Sequence, residues 1–172
     1  MKQQVFIRTS IIGGVSTGIS TFLLMLLFHL IGLRPLGKQF FLFLPMYAAC
    51  MMLVVTWYRN YKNAGILQGF HALVMTFIIN LLGSLFYATS LYLFLRFGSD
   101  EMLNLHHIDL LNLLKDNKDI LVKDRGIELY EQNLAAIQQV TPSNIATDTL
   151  LKTSLGGFFV AFIVALGLRK AA

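Results

Sequence analysis

Charged residues are scarce in this chain, and acidic ones are missing from more than half of it. Only 13% of the 172 residues are Asp, Glu, Lys or Arg, against roughly a quarter in an ordinary soluble domain. With 56% apolar residues and a mean hydropathy of +0.65, so few charges cannot keep a small globule in water. This argues against a soluble enzyme, a disordered tail and a secreted disulfide scaffold. Cysteine is nearly absent too. The single Cys50 lies inside an apolar run, so it forms no intrachain disulfide, offers no metal pair, and reads as a small buried residue. The three prolines stand at edges: Pro35 in a turn, Pro45 near the start of an apolar run, Pro142 in a helical first turn.

All nine acidic residues lie between Asp100 and Asp148, whereas the fourteen Lys and Arg run the length of the chain. The excess positive charge therefore belongs to the apolar part and its short loops, while the stretch from Asp100 to Asp148 is mildly acidic. Membrane orientation explains such a pattern better than nucleic acid, which would want clustered basic residues among exposed aromatics. Here the aromatics sit mostly inside apolar runs, and no nucleic-acid partner is expected.

What is present in quantity is four apolar segments: about Ile11 to Leu33, Phe40 to Tyr58, Phe70 to Leu95 and Leu150 to Leu168. Each approaches the ~20 residues that cross a ~30 Å hydrocarbon core as a helix. The fourth gains length if its helix starts at Thr141-Pro142-Ser143, with Thr as cap and Pro in the first turn. The first is too long for a signal-peptide core and lacks a small-residue cleavage site, so it reads as a retained helix. Arg34 to Lys38 and Arg59 to Gly65 form short polar loops, which predict antiparallel neighbours.

The expected organisation is an all-α integral membrane protein with four transmembrane helices and an extramembrane helical hairpin between the third and fourth. Residues 1–97 hold the first three spans, 98–144 the insert, and 145–172 the last span and a basic end. In the insert, a helix capped by Ser99 or Asp100 runs to about Leu114, and a second runs from about Asp124 to Gln139. The second places Ile127, Tyr130, Leu134 and Ile137 on one narrow apolar seam. The seam is read first as packing on the other insert helix, next as a candidate surface for a membrane-complex partner or a homodimer, and last as an interfacial lipid-sensing face.

With four spans both termini share a side. Lys2, Arg8, Arg59, Lys62, Arg169 and Lys170 gather there, while Arg34, Lys38, Arg96 and Lys152 lie with the insert. The positive-inside rule then favours cytoplasmic termini and a periplasmic insert. Trp57, Tyr58, Tyr87 and Tyr92 are placed for interfacial belts.

Within the spans the strongest pattern is packing. Ser10, Gly14 and Gly18 recur at intervals of four; so do Ala72, Thr76, Asn80, Ser84 and Ala88, and Thr153, Gly157, Ala161 and Ala165. Small residues at that spacing let backbones approach, and dispersion replaces the missing hydrophobic drive. The helix-packing residues are thus Gly14, Gly18, Asn80, Ser84, Gly157 and Ala161, within one chain or between two. Asn80 must pair, because an orphan amide in lipid costs several kcal/mol. It is read as an interhelical anchor, or alternatively as part of a solute path with Thr76 and Ser84.

No Asp, Glu, Lys or Arg stands in the middle of a span, which weighs against ion-coupled transport. His29 and His71 lie near span ends on opposite sides. His106-His107-Ile108-Asp109 lacks the His-x-x-x-His spacing that chelates a metal on a helix. No catalytic motif, metal site or cofactor site is expected, and the chain is read first as a non-enzymatic structural or accessory protein of the inner membrane, acting through protein contacts of its insert. A small-solute transporter or channel is the second reading, and an enzyme or metal sensor using His106, His107 and Asp109 the third.

The stretch Tyr58-Arg59-Asn60-Tyr61-Lys62-Asn63-Ala64-Gly65-Ile66-Leu67-Gln68-Gly69-Phe70 resembles the loop after the second span in an uncharacterised bacterial membrane family, domain of unknown function 4199. The glycine-bearing first span and the closing Leu155-Gly156-Gly157-Phe158 to Leu168-Arg169-Lys170 are similar as well. Gly98-Ser99-Asp100-Glu101 stands where members often carry Asp-Pro. The resemblance implies a four-helix membrane protein of Gram-negative bacteria. It implies no activity and carries over no site residues.

Overall fold

A computed structural model of the chain describes residues 2–36, 43–98 and 100–168. Gly37, Lys38, Phe40, Ser99, Arg169 and Lys170, to which the sequence assigned roles, lie outside the described residues, as does the side chain of Lys2. The described chain is all-helical apart from its connections. The helices are α1 (Lys2–Leu30), α2 (Phe43–Trp57), α3 (Gly69–Phe97), α4 (Asp100–Asp116), α5 (Lys118–Arg125), α6 (Ile127–Gln138) and α7 (Pro142–Leu168). A π-helical turn over Tyr58–Lys62 continues α2.

Three helices, α1 from Gln3, α3 and α7, are long and apolar enough to cross a membrane. They are apolar all round: Leu23, Leu81, Phe159 and Ile163 point outward. In water such helices would have to be buried; on a bundle surface this pattern suits lipid. α2 has 15 residues, shorter than the second run as read from sequence.

α1 ends for a local reason. Gly32 adopts φ +79°, its N–H bonds to the His29 carbonyl, and the Leu33 N–H bonds to the Phe28 carbonyl. These are the two bonds of a Schellman cap. α7 starts as its residues predict. The Asn144 N–H donates to Thr141 Oγ1 at 3.3 Å, and the Thr141 N–H donates to Asn144 Oδ1 at 3.1 Å, a reciprocal cap ahead of Pro142.

α3 is the spine of the bundle and packs most extensively along α1 and α7. α1 and α3 run parallel, because Phe6 meets His71 at one end and His29 meets Phe94 at the other. α2 touches α1 and α7 more than it touches α3. The short loop after α2 therefore does not make α2 and α3 close neighbours: α2 sits across from α3, and side chains bridge the gap. Two clusters fill the interior. One lies toward the N-terminal end of α1 around Met51, Val55, Met75 and Val164; the other lies toward the insert around Met25, Tyr87, Leu91 and Ile145. Met102 of α4 joins the second and fastens the insert to the bundle.

The aromatic belts need correction. Trp57 and Tyr92 are exposed, but Tyr58 and Tyr87 are buried, against Phe6 and Phe43 respectively. Each lies on the helix face turned to the core, and position along a span says nothing about that face.

The insert holds three helices where two were expected. α4 ends at Asp116 rather than near Leu114, the added helix is α5, and α6 starts at Ile127 rather than at Asp124. The cause is Gly126, at φ 87° and ψ 164°, a conformation essentially confined to glycine. It breaks what hydropathy alone would run together.

Candidate functional site

Two polar centres stand out, one inside the bundle and one beneath the insert. The first is built on three helices. The Tyr47 hydroxyl of α2 donates to the Asn80 main-chain carbonyl at 2.7 Å and lies 3.1 Å from Asn80 Oδ1. Asn80 Nδ2 of α3 donates to the Ser154 carbonyl of α7 at 3.0 Å. The Ser84 and Ser154 hydroxyls are 2.8 Å apart, and Ser84 Oγ lies 2.8 Å from the Asn80 carbonyl. Thr76 folds back onto the Ala72 and Leu73 carbonyls of its own helix.

Glycine makes the node possible. A Cβ on Gly157 would overlap Asn80 Oδ1, and one on Gly83 would sit 2.7 Å from the Tyr47 hydroxyl. On the other flank of α3, a Cβ on Gly18 would stand 2.5 Å from the Gly83 carbonyl, and one on Gly14 2.7 Å from Leu82 Cβ. Ala161 is fully buried in the same interior. So Asn80, Ser84 and Gly157 meet at the node, Gly14 and Gly18 line the α1–α3 contact, and Ala161 belongs to the core nearer the N-terminal end. Tyr47, Gly83 and Ser154 were not singled out in the sequence. Tyr47 is the only hydroxyl-bearing aromatic in the middle of the second apolar run, and that was the available signal.

The second centre is a cleft of about 610 Å³ between α4, the segment after α1 and the start of α7. Arg34 forms an ion pair with Asp109 across it, and Lys152 pairs with Asp148 one helical turn away. His107 Nε2 lies 3.0 Å from the Val140 carbonyl and ties α4 to the segment before α7. His106 lines the cleft, and its Nδ1 is buried without a hydrogen-bond partner among the described residues. Burial pushes the His106 imidazole below its usual pKa, and the neighbouring His107 adds to this; Lys152 acts the same way, while Asp109 and Asp148 oppose it. His106 and His107 face different partners, as residues 100° apart on a helix must. Among the described residues no three His, Cys, Asp or Glu side chains converge to hold a metal.

The predicted seam on α6 is partly covered. Tyr130, Leu134 and Ile137 are half-buried against α4 and α5, with the Lys118 ammonium 5.3 Å from the Tyr130 ring, whereas Ile127 is exposed.

A closely packed helical bundle with apolar outer faces, a buried hydrogen-bonded amide and a polar insert defines a helical protein of membrane type. The family model described as "Protein of unknown function (DUF4199)" matches residues 11–170, and the chain belongs to that family. No curated protein and no solved structure matches it.

Proposed function

We propose that this is a four-span accessory protein of the bacterial inner membrane, with cytoplasmic termini and a periplasmic insert, acting through protein contacts of that insert and not as an enzyme. α2 supports the fourth span, because it lies alongside α1 and α7 and continues into the π turn. The basic residues at the end away from the insert support the orientation.

One observation carries the functional reading: neither α5 nor α6 contains a buried residue, although both carry apolar side chains. Ile120 is 63% exposed and Ile127 48%. Amphipathic helices gain their stability from covering an apolar face, and here that face is left partly open. A partner helix laid on it would complete the burial. A solute path past Asn80 has less support, since the amide, Tyr47, Ser84 and Ser154 bond to one another or to backbone.

The test is the size of the assembly in mild detergent. The wild-type chain should migrate as a defined complex, and Ile120→Asp with Ile127→Asp should reduce it to the lone chain. Both positions are exposed, so thermal stability should move by less than about 0.5 kcal/mol. A wild-type chain that runs alone, or a complex indifferent to both substitutions, would defeat the proposal.

A further inference from the structure

On the outer surface of the bundle, a groove of about 620 Å³ runs between α1 and α2. Its α1 wall is Val5, Thr9, Ile12 and Ser16, spaced to share one helix face. Its α2 wall is Leu53, Val54 and Trp57. Gly13 forms the floor, where a Cβ would come within 2.5 Å of Val54 Cγ1. From Val5 to Ser16 the helix rises about 16 Å, which is roughly half of a ~30 Å hydrocarbon core. The groove is therefore as deep as one leaflet.

The shallow end carries the chemistry. Arg8 and Lys62 both line the groove there, and both are exposed. The Lys62 ammonium stands 5.3 Å from the centroid of the Trp57 ring. The π turn explains this. Residues five apart diverge on an α-helix, whereas π winding bonds i to i+5 and brings Lys62 back above Trp57. Arg59 is occupied elsewhere, donating to the Leu168 carbonyl. No carboxylate side chain competes for Arg8 or Lys62: residues 1–99 contain none, and the described ion pairs lie at the insert end. Trp57 and Tyr61 are exposed at the same level, as side chains at a headgroup boundary are.

We propose that this groove holds one acyl chain of an anionic phospholipid, with the lipid phosphate bound by Arg8 and Lys62. A lipid-facing groove of this size fills with some chain in any bilayer; the two cations at its mouth select the headgroup by charge. Gly13 lets α1 and α2 meet at the floor, and the small Ser16 leaves the space above it that a larger residue would fill. The inference rests on α1 and α2 lying side by side in a bilayer. It does not depend on the insert, so loss of the proposed assembly would leave it standing.

The test uses the full chain in nanodiscs holding equal amounts of phosphatidylglycerol and phosphatidylcholine with identical acyl chains. Native mass spectrometry then identifies the retained lipid. Wild type should retain phosphatidylglycerol preferentially. Arg8→Gln or Lys62→Gln should each cut the preference about fivefold, and the pair about thirtyfold. Arg96→Gln, at the opposite end, should leave the preference intact. Ser16→Trp fills the groove and should release both lipids alike, which keeps the proposal testable even if the double variant folds poorly. Four results would overturn it: no headgroup preference in wild type; a preference that survives loss of both cations; competition by glycerol phosphate lacking acyl chains; or a lipid-free two-chain species, which would assign the groove to a second copy.

Discussion

The bundle and the insert are both helical and both carry polar groups, yet they treat those groups in opposite ways. In the bundle, Asn80, Ser84, Tyr47 and Ser154 are buried or half-buried and mutually bonded, and glycines draw the backbones close around them. In the insert, α5 and α6 bury no residue, and the cleft beneath α4 holds a buried imidazole nitrogen, His106 Nδ1, that has no hydrogen-bond partner among the described residues. The solvent explains the contrast. Lipid offers no hydrogen bonds, so polar groups there gain by pairing within the protein; Thr153 Oγ1 of α7 is the buried bundle hydroxyl that has no partner among the described residues. Water can pair with exposed groups, and the insert accordingly leaves the side chains of α5 and α6 more open than those of the bundle interior.

The sharpest way to break this contrast is Gly157→Val. Its side chain has no space beside Asn80 Oδ1 and the Tyr47 ring, and overpacking a filled interior costs up to about 3 kcal/mol. Unfolding by sodium dodecyl sulfate in mixed micelles should show the loss; an unchanged midpoint would mean that the node is looser than its geometry. Asn80→Leu should cost less, about 1 kcal/mol, as interhelical hydrogen bonds in membranes usually do. Combined with Tyr47→Phe, the effects should be non-additive, since the two residues share one bond network.

The smallest effect belongs to the insert and sharpens the comparison by pH. His106 binds its proton less readily when folded, chiefly because it is buried. Below its ordinary pKa, near 6.5, the unfolded chain takes up a proton that the folded chain resists. Stability from this group is full above that value and falls away as the pH drops through the depressed folded value. His106→Leu should flatten that part of the pH–stability curve in detergent, and a slope identical to wild type would remove His106 as its source.

Helix positions were far more legible in the sequence than helix partners. Unbroken apolar runs marked α1, α3 and α7, and the Thr141-Pro142 start of α7 was visible because capping is local chemistry. The four-residue stripes run through Gly14, Gly18, Asn80, Ser84 and Gly157, each of which is buried. They could not say which helix each face meets, because a small residue accepts any backbone that comes near. Tyr47 and Ser154 were overlooked for the same reason: a hydroxyl acquires its meaning from an acceptor that lies far along the chain. Gly126 stood in plain view, but one glycine signals a break only once its backbone angles are known.

The node also has a chronology. The amide of Asn80 and the carbonyl of Ser154 that it bonds are 74 residues apart, with the entire insert between them. During synthesis α3 is complete long before α7 exists. A nascent chain halted within the insert would carry that amide with no α7 to receive it. α7 is thus the helix that closes the node on α2 and α3, and a chain halted before it should be the form that quality control removes.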